Sequence, residues 1–170
     1  MDAHAPTGAV DAGHAVELRR EAATMALYVT VCLLAALTAV ADRVDAGTVD
    51  VLRIVWGTTV GLALAHWFAF RLSARLVAAG TFGRHEASLA AAQLGGAAAI
   101  AVLATVAVVV LPASTELDVV RILLAAVLGL TGFEVARSGG VGRGRAMVYA
   151  AGTLVLAVAI TVVKNVLGGH

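Results

Sequence analysis

Apolar residues run in five long blocks along this chain, at about 23–41, 51–70, 87–111, 119–136 and 146–166, separated by short stretches rich in charge and glycine. Each block is near the roughly 20 apolar residues that a helix needs to cross a bilayer. None shows the period-2 alternation of a half-buried strand. The pattern predicts an all-α polytopic membrane protein with five transmembrane helices. Residues 1–16 precede the first block; they are small and polar, with Pro6, and are read as a disordered cytoplasmic tail. Residues 17–170 form the membrane domain. Ala39-Val40-Ala41 resembles a signal-peptidase site, but the first block is read as a retained helix.

Two of the blocks open alike. Asp50-Val51-Leu52-Arg53-Ile54 recurs as Asp118-Val119-Val120-Arg121-Ile122, and Gly61-Leu62 recurs at the same offset as Gly129-Leu130. Six of 17 aligned positions are identical, a rare Asp and a rare Arg among them. This predicts a duplicated hairpin, helices 1–2 and 3–4, related by a pseudo-twofold axis along the membrane normal, with a fifth helix added.

Composition agrees with the pattern. Hydrophobic residues make up 61% of the chain, charged residues 14%, and the mean hydropathy is +0.95. A soluble domain of 170 residues could not cover itself with so little polar surface. A net charge of +1 gives no reason to expect nucleic acid. The single cysteine, Cys32, cannot form an intramolecular disulfide and reads as a small core residue. One Lys against eleven Arg fits a GC-rich bacterial genome.

Arginine placement sets the orientation. With the N-terminus in the cytoplasm, the inner side holds Arg19, Arg20, Arg71, Arg75, Arg84, Arg137, Arg143 and Arg145, against Arg43, Arg53, Arg121 and Lys164 outside. The positive-inside rule then predicts a multi-pass plasma-membrane protein with a cytoplasmic N-terminus and an external C-terminus.

Few residues carry candidate chemistry. Asp50 and Arg53, like Asp118 and Arg121, lie three apart and share a helix face. They predict two outer charged pairs, acting as interfacial anchors or as a solute-selecting vestibule. His66 and Glu134 each follow those arginines by 13 residues, about 20 Å deeper. Ionisable groups at that depth cost about 2.5–3.5 kcal/mol to insert and are seldom left facing lipid. At pseudo-equivalent positions they predict a polar pathway site, in which the carboxylate stabilises an imidazolium and relays protons. The competing expectations are a Glu134–Arg137 pair at the inner interface and an aromatic belt of His66, Trp67 and Phe68.

On helix 3, Ala87, Ala91, Gly95 and Ala99 form a small-residue row, with Ser88, Ala92 and Gly96 beside it. Such rows let helix backbones approach closely. The Ala91–Gly95–Ala99 face is predicted to pack within the protomer or between copies, and Gly61 and Gly129 to mark helix crossings. Gln93, on the same helix, can hydrogen-bond across it.

Signatures of soluble catalysis are missing. His85-Glu86 lacks the second histidine of a zincin helix, and Gly139-Gly140-Val141-Gly142 follows a helix and lacks a P-loop lysine. No enzyme, cofactor or metal is therefore expected. The residues favour an ion or small-solute channel or transporter, working as a homo-oligomer because one protomer is too small to enclose a pathway. The alternative is a non-transporting scaffold or accessory subunit, favoured by the lack of Pro-broken helices.

Overall fold

The computed structural model describes residues 7–40, 47–77, 83–112 and 115–167. Over these the chain is all-helical: α1 (Thr7–Val40), α2 (Thr48–Val77), α3 (Arg84–Val110), α4 (Glu116–Ser138) and α5 (Arg143–Leu167). All five are long and apolar enough to cross a membrane. Arg43 and the side chains of Arg75 and Lys164, used above for orientation, lie outside what is described.

The helices overrun the apolar blocks because backbone hydrogen bonding continues into polar flanks. The Gly83 N–H donates to the Glu86 carboxylate, 2.6 Å away, which occupies one donor at the start of α3. α4 ends in a Schellman turn: Val141 N–H reaches the Ala136 carbonyl and Gly140 N–H the Arg137 carbonyl. Gly140 takes φ 77°, which glycine adopts without penalty. Threonine hydroxyls disappear into the helices by donating to the carbonyl four residues back, as Thr30 does to Ala26 and Thr59 to Val55. That lets Thr30 and Thr59 lie fully buried.

The largest overrun is α1. Residues 7–16, expected to be a disordered tail, continue the helix. Short isolated helices are marginal, and in this stretch His14 lies against Ser88 and His85 at the start of α3. With 34 residues, α1 is about 51 Å long, well beyond the roughly 30 Å hydrocarbon core. Its first turns therefore extend beyond the apolar block that starts near residue 23.

α1 is the central helix and touches the other four. Its most extensive partner is α3, while α5 packs chiefly on α4. The core joins Met25, Val29, Leu33 and Leu37 of α1 to Ala97, Ile100, Ala101, Ala104 and Val108 of α3, with Val51 and Val55 of α2 and Val120, Leu124 and Leu128 of α4. Large side chains on α1 rest on a floor of small ones on α3. Within the protomer, the small-residue face that packs is a different one from Ala91–Gly95–Ala99. Ala91, Gly95 and Ala99 are exposed, and a Cβ on Gly95 would meet only open space. The buried face of α3 holds Ala90, Gln93, Gly96, Ala97, Ile100, Ala101 and Ala104. Gln93 sets this rotation: its side chain donates to Glu21 of α1, so the helical period turns Ala91, Gly95 and Ala99 outward. A Cβ at Gly96 would collide with the Ala22 carbonyl of α1, so the close approach falls at the second row.

Gly61 is likewise exposed with nothing near it, because α2 turns Val51, Val55 and Thr59 inward. Gly129 does mark a contact: its Cβ position lies 3.4 Å from the Leu154 side chain. The tighter crossing with α5 is at Gly132, where a Cβ would lie 2.5 Å from Thr153 Oγ1 and 3.3 Å from Ala150 Cα.

Candidate functional site

Three helices bring polar groups to one cavity of about 270 Å³, lined by Glu21, Thr24, Met25 and Tyr28 of α1, His66 of α2 and Gln93 of α3. α1 supplies its residues at i, i+3, i+4 and i+7, one helical face. Gln93 is buried, and its side-chain amide donates to Glu21 Oε2 at 2.7 Å. Glu21 Oε1 lies 3.4 Å from Arg20. The carboxylate thus carries two partners and keeps acceptor capacity toward the cavity. His66 is half-buried and closes the α2 side; Ala63, Trp67 and Leu94 line a separate, smaller pocket next to it. Trp67 and Phe68 point outward, with the Arg71 guanidinium 5.0 Å above the Trp67 ring.

The acid that shares a cavity with His66 is Glu21, where Glu134 was expected. Glu134 is exposed on α4, and among the described residues it pairs with neither His66 nor Arg137. Arg137 instead donates to the Val141 carbonyl in the turn after α4. The Glu21 signal was present but obscured: next to Arg19 and Arg20, it reads as part of a charged flank. Gln93 was noted for hydrogen bonding across α3, and that bond goes to Glu21.

At the far end of the bundle both i,i+3 pairs form, Arg53–Asp50 at 3.0 Å and Arg121–Asp118 at 3.1 Å. They are not equivalent. The Arg53 side chain is 75% exposed, whereas that of Arg121 is 19% exposed and also donates to the Leu37 carbonyl near the end of α1. Arg121 therefore ties α4 to α1, whereas among the described residues Arg53 pairs within its own helix. In the first turn of α4, Glu116 is 1% exposed, and its Oε2 accepts a 2.9 Å hydrogen bond from the Thr48 hydroxyl. Among the described residues its Oε1 has no partner, nor has Arg121 Nε. Nothing in its local sequence singles Glu116 out, since it opens an apolar block as an ordinary first-turn acid does.

No protein-family model, curated protein or solved structure matches this chain.

Proposed function

We propose that this is a multi-pass plasma-membrane protein that moves a proton or small cationic solute, working as a homo-oligomer with its N-terminus in the cytoplasm. The observation that carries the reading is the convergence of Glu21, His66 and Gln93, from three different helices, on one cavity. His66 lies 13 residues past the outer Arg53, about 20 Å in, and ionisable groups at such depth mark solute or proton paths. A carboxylate and an imidazole suit a cation or a proton and disfavour an anion.

A duplicated hairpin is part of the same proposal. Met25, Val29 and Leu33 of α1 are buried, and so are Gln93, Ala97 and Ala101, their partners at the 68-residue offset. Thr48 and Glu116, 68 residues apart, hydrogen-bond to each other. Equivalent residues touch one another only near a symmetry axis, which supports an axis between the copies.

The scaffold reading has one observation in its favour: Leu33, Leu37, Val55, Val108, Val120 and Leu124 fill the bundle beyond the cavity. The deciding experiment is reconstitution into liposomes with proton, potassium and chloride flux measured for wild type, Glu21→Gln and His66→Ala. Proton or potassium flux in wild type that falls in both variants, with unchanged melting, is the expected result. No flux of any of the three ions in wild type would refute transport and favour the scaffold.

A further inference from the structure

Ahead of the apolar block, the start of α1 lies beside the first turn of α3. His14 and Glu17 occupy one face of α1, three residues apart, and His85 faces them from α3. His85 Nε2 is 3.6 Å from Glu17 Oε2. The two imidazole rings are 5.2 Å apart between centroids, and one donor atom from each of the three residues falls within 4.8 Å of the others. His14 Nε2 is 3.5 Å from the Ser88 hydroxyl, which is itself held by the His85 carbonyl at 2.7 Å. We propose that His14, Glu17 and His85 form a binding site for a divalent transition-metal ion of the zinc type, bridging α1 and α3.

The argument is one of geometry and donor chemistry. Zinc holds imidazole nitrogen and carboxylate oxygen at about 2.0–2.2 Å in a tetrahedron, so its ligand atoms stand about 3.4 Å apart. The Glu17–His85 separation is already near that value. The widest separation in the triad needs to close by a little over 1 Å, which rotation of half-exposed side chains supplies without moving a helix. Two imidazoles converge on one carboxylate. A single cation with four coordination positions satisfies all three donors and leaves one place for water, whereas a histidine–carboxylate pair would leave the second imidazole out. Nitrogen donors select zinc, cobalt or nickel over calcium and magnesium, which prefer oxygen alone.

Both helices keep their donors in register. Glu17 and Glu21 are one turn apart on α1, and His85 and Gln93 two turns apart on α3, so the site lies on the same α1–α3 seam as the Glu21–Gln93 hydrogen bond. A bound ion would clamp that seam from its polar end. The proposal does not depend on the cavity transporting anything.

The test uses full-length, tag-free protein in detergent. Cobalt is titrated and followed by its visible absorption, and zinc is then measured by calorimetry. Wild type is expected to bind one equivalent with the spectrum of a low-coordinate cobalt site, and zinc is expected to raise its melting temperature. His14→Gln, Glu17→Gln and His85→Gln should each weaken binding at least about tenfold, since loss of a ligand costs no less than the 10–100-fold seen for residues that only support one. These side chains lie on the surface, so the metal-free melting temperature should not change. His66→Gln should bind as wild type does. Absence of cobalt binding by wild type would overturn the proposal. So would undiminished binding by the three variants, which would put the ion elsewhere, or an equal loss in His66→Gln, which would put it in the cavity.

Discussion

Gly96 and Gly95 are neighbours in sequence, yet the structure gives alanine opposite effects at the two positions. A Cβ at Gly96 overlaps the Ala22 carbonyl, a backbone atom of α1 that cannot swing aside. Accommodating it requires α1 and α3 to separate by about 1 Å at the crossing, because carbon and oxygen in contact need more than 3 Å. A gap of 0.5–1 Å forfeits about a quarter to a half of each dispersion well along the seam. That seam includes Met25, Val29 and Leu33 against Ala97, Ile100 and Ala101, and overpacking of this kind costs about 1–3 kcal/mol. Alanine's better helix propensity returns about 0.5–1 kcal/mol, so Gly96→Ala should destabilise by about 1–2 kcal/mol. At Gly95 the methyl enters open space and only the propensity gain remains, so Gly95→Ala should be neutral or slightly stabilising. Reversible unfolding in bicelles, followed by steric trapping, measures both. Equal stability of Gly96→Ala and wild type, or a matching loss in Gly95→Ala, would refute the assigned rotation of α3.

Other consequences are open to measurement. Thr48→Ala should destabilise by about 1–3 kcal/mol, because it leaves both oxygens of buried Glu116 without a partner, while Glu116→Gln keeps the acceptor and should be tolerated; unfolding in bicelles separates the two. With Cys32 replaced by serine, a Thr48→Cys/Glu116→Cys double variant should be joined by a short bifunctional thiol reagent within one chain; cross-linking only between chains would argue against contact of the equivalent positions. In intact cells an impermeant maleimide should label Thr115→Cys and spare Gly142→Cys, and the reverse pattern would invert the proposed orientation. Gln93→Leu removes the donor to Glu21 and should lower stability by about 1–3 kcal/mol, more than Leu94→Ala, whose side chain is exposed on the protein surface.

The helices were legible because a spanning segment must satisfy every backbone group within itself, and only long apolar runs can do so cheaply. Boundaries were less so. The blocks at 51–70 and 119–136 stop where hydrophobicity stops, whereas α2 and α4 continue through Arg71 and Arg137 as far as the hydrogen-bond ladder reaches. Helical residues before Glu17 carried no local sign, since the neighbours of His14 are on α3, far away in sequence. The same holds for helix rotation. Two rows of small residues on α3 are equally eligible by composition, and Gln93 decides between them only once its partner on α1 is known. His66 stood out as an isolated polar residue in an apolar run. Glu21 did not, because beside two arginines a carboxylate looks like ordinary solvated flank. His14, Glu17 and His85 fall on two segments separated by two apolar blocks, a spacing that matches no local metal motif.

On the proposed duplication, the polar groups inside the bundle are where the two copies have diverged. Gln93 corresponds to Met25, and Glu116 to Thr48, so the second hairpin carries both of these buried polar groups where the first carries a residue of different character. A symmetric ancestor with identical residues at each pair would place like groups against each other across the axis, and two buried carboxylates or two amides at such contacts are costly. Divergence relieves that conflict: methionine packs where a second glutamine would lack a partner, and threonine donates where a second glutamate would repel. One end of the bundle then holds a carboxylate bound by an amide from the next helix, the other a carboxylate bound by its equivalent threonine. The two ends therefore hold a carboxylate in different ways, with an amide donor at one and a hydroxyl donor at the other.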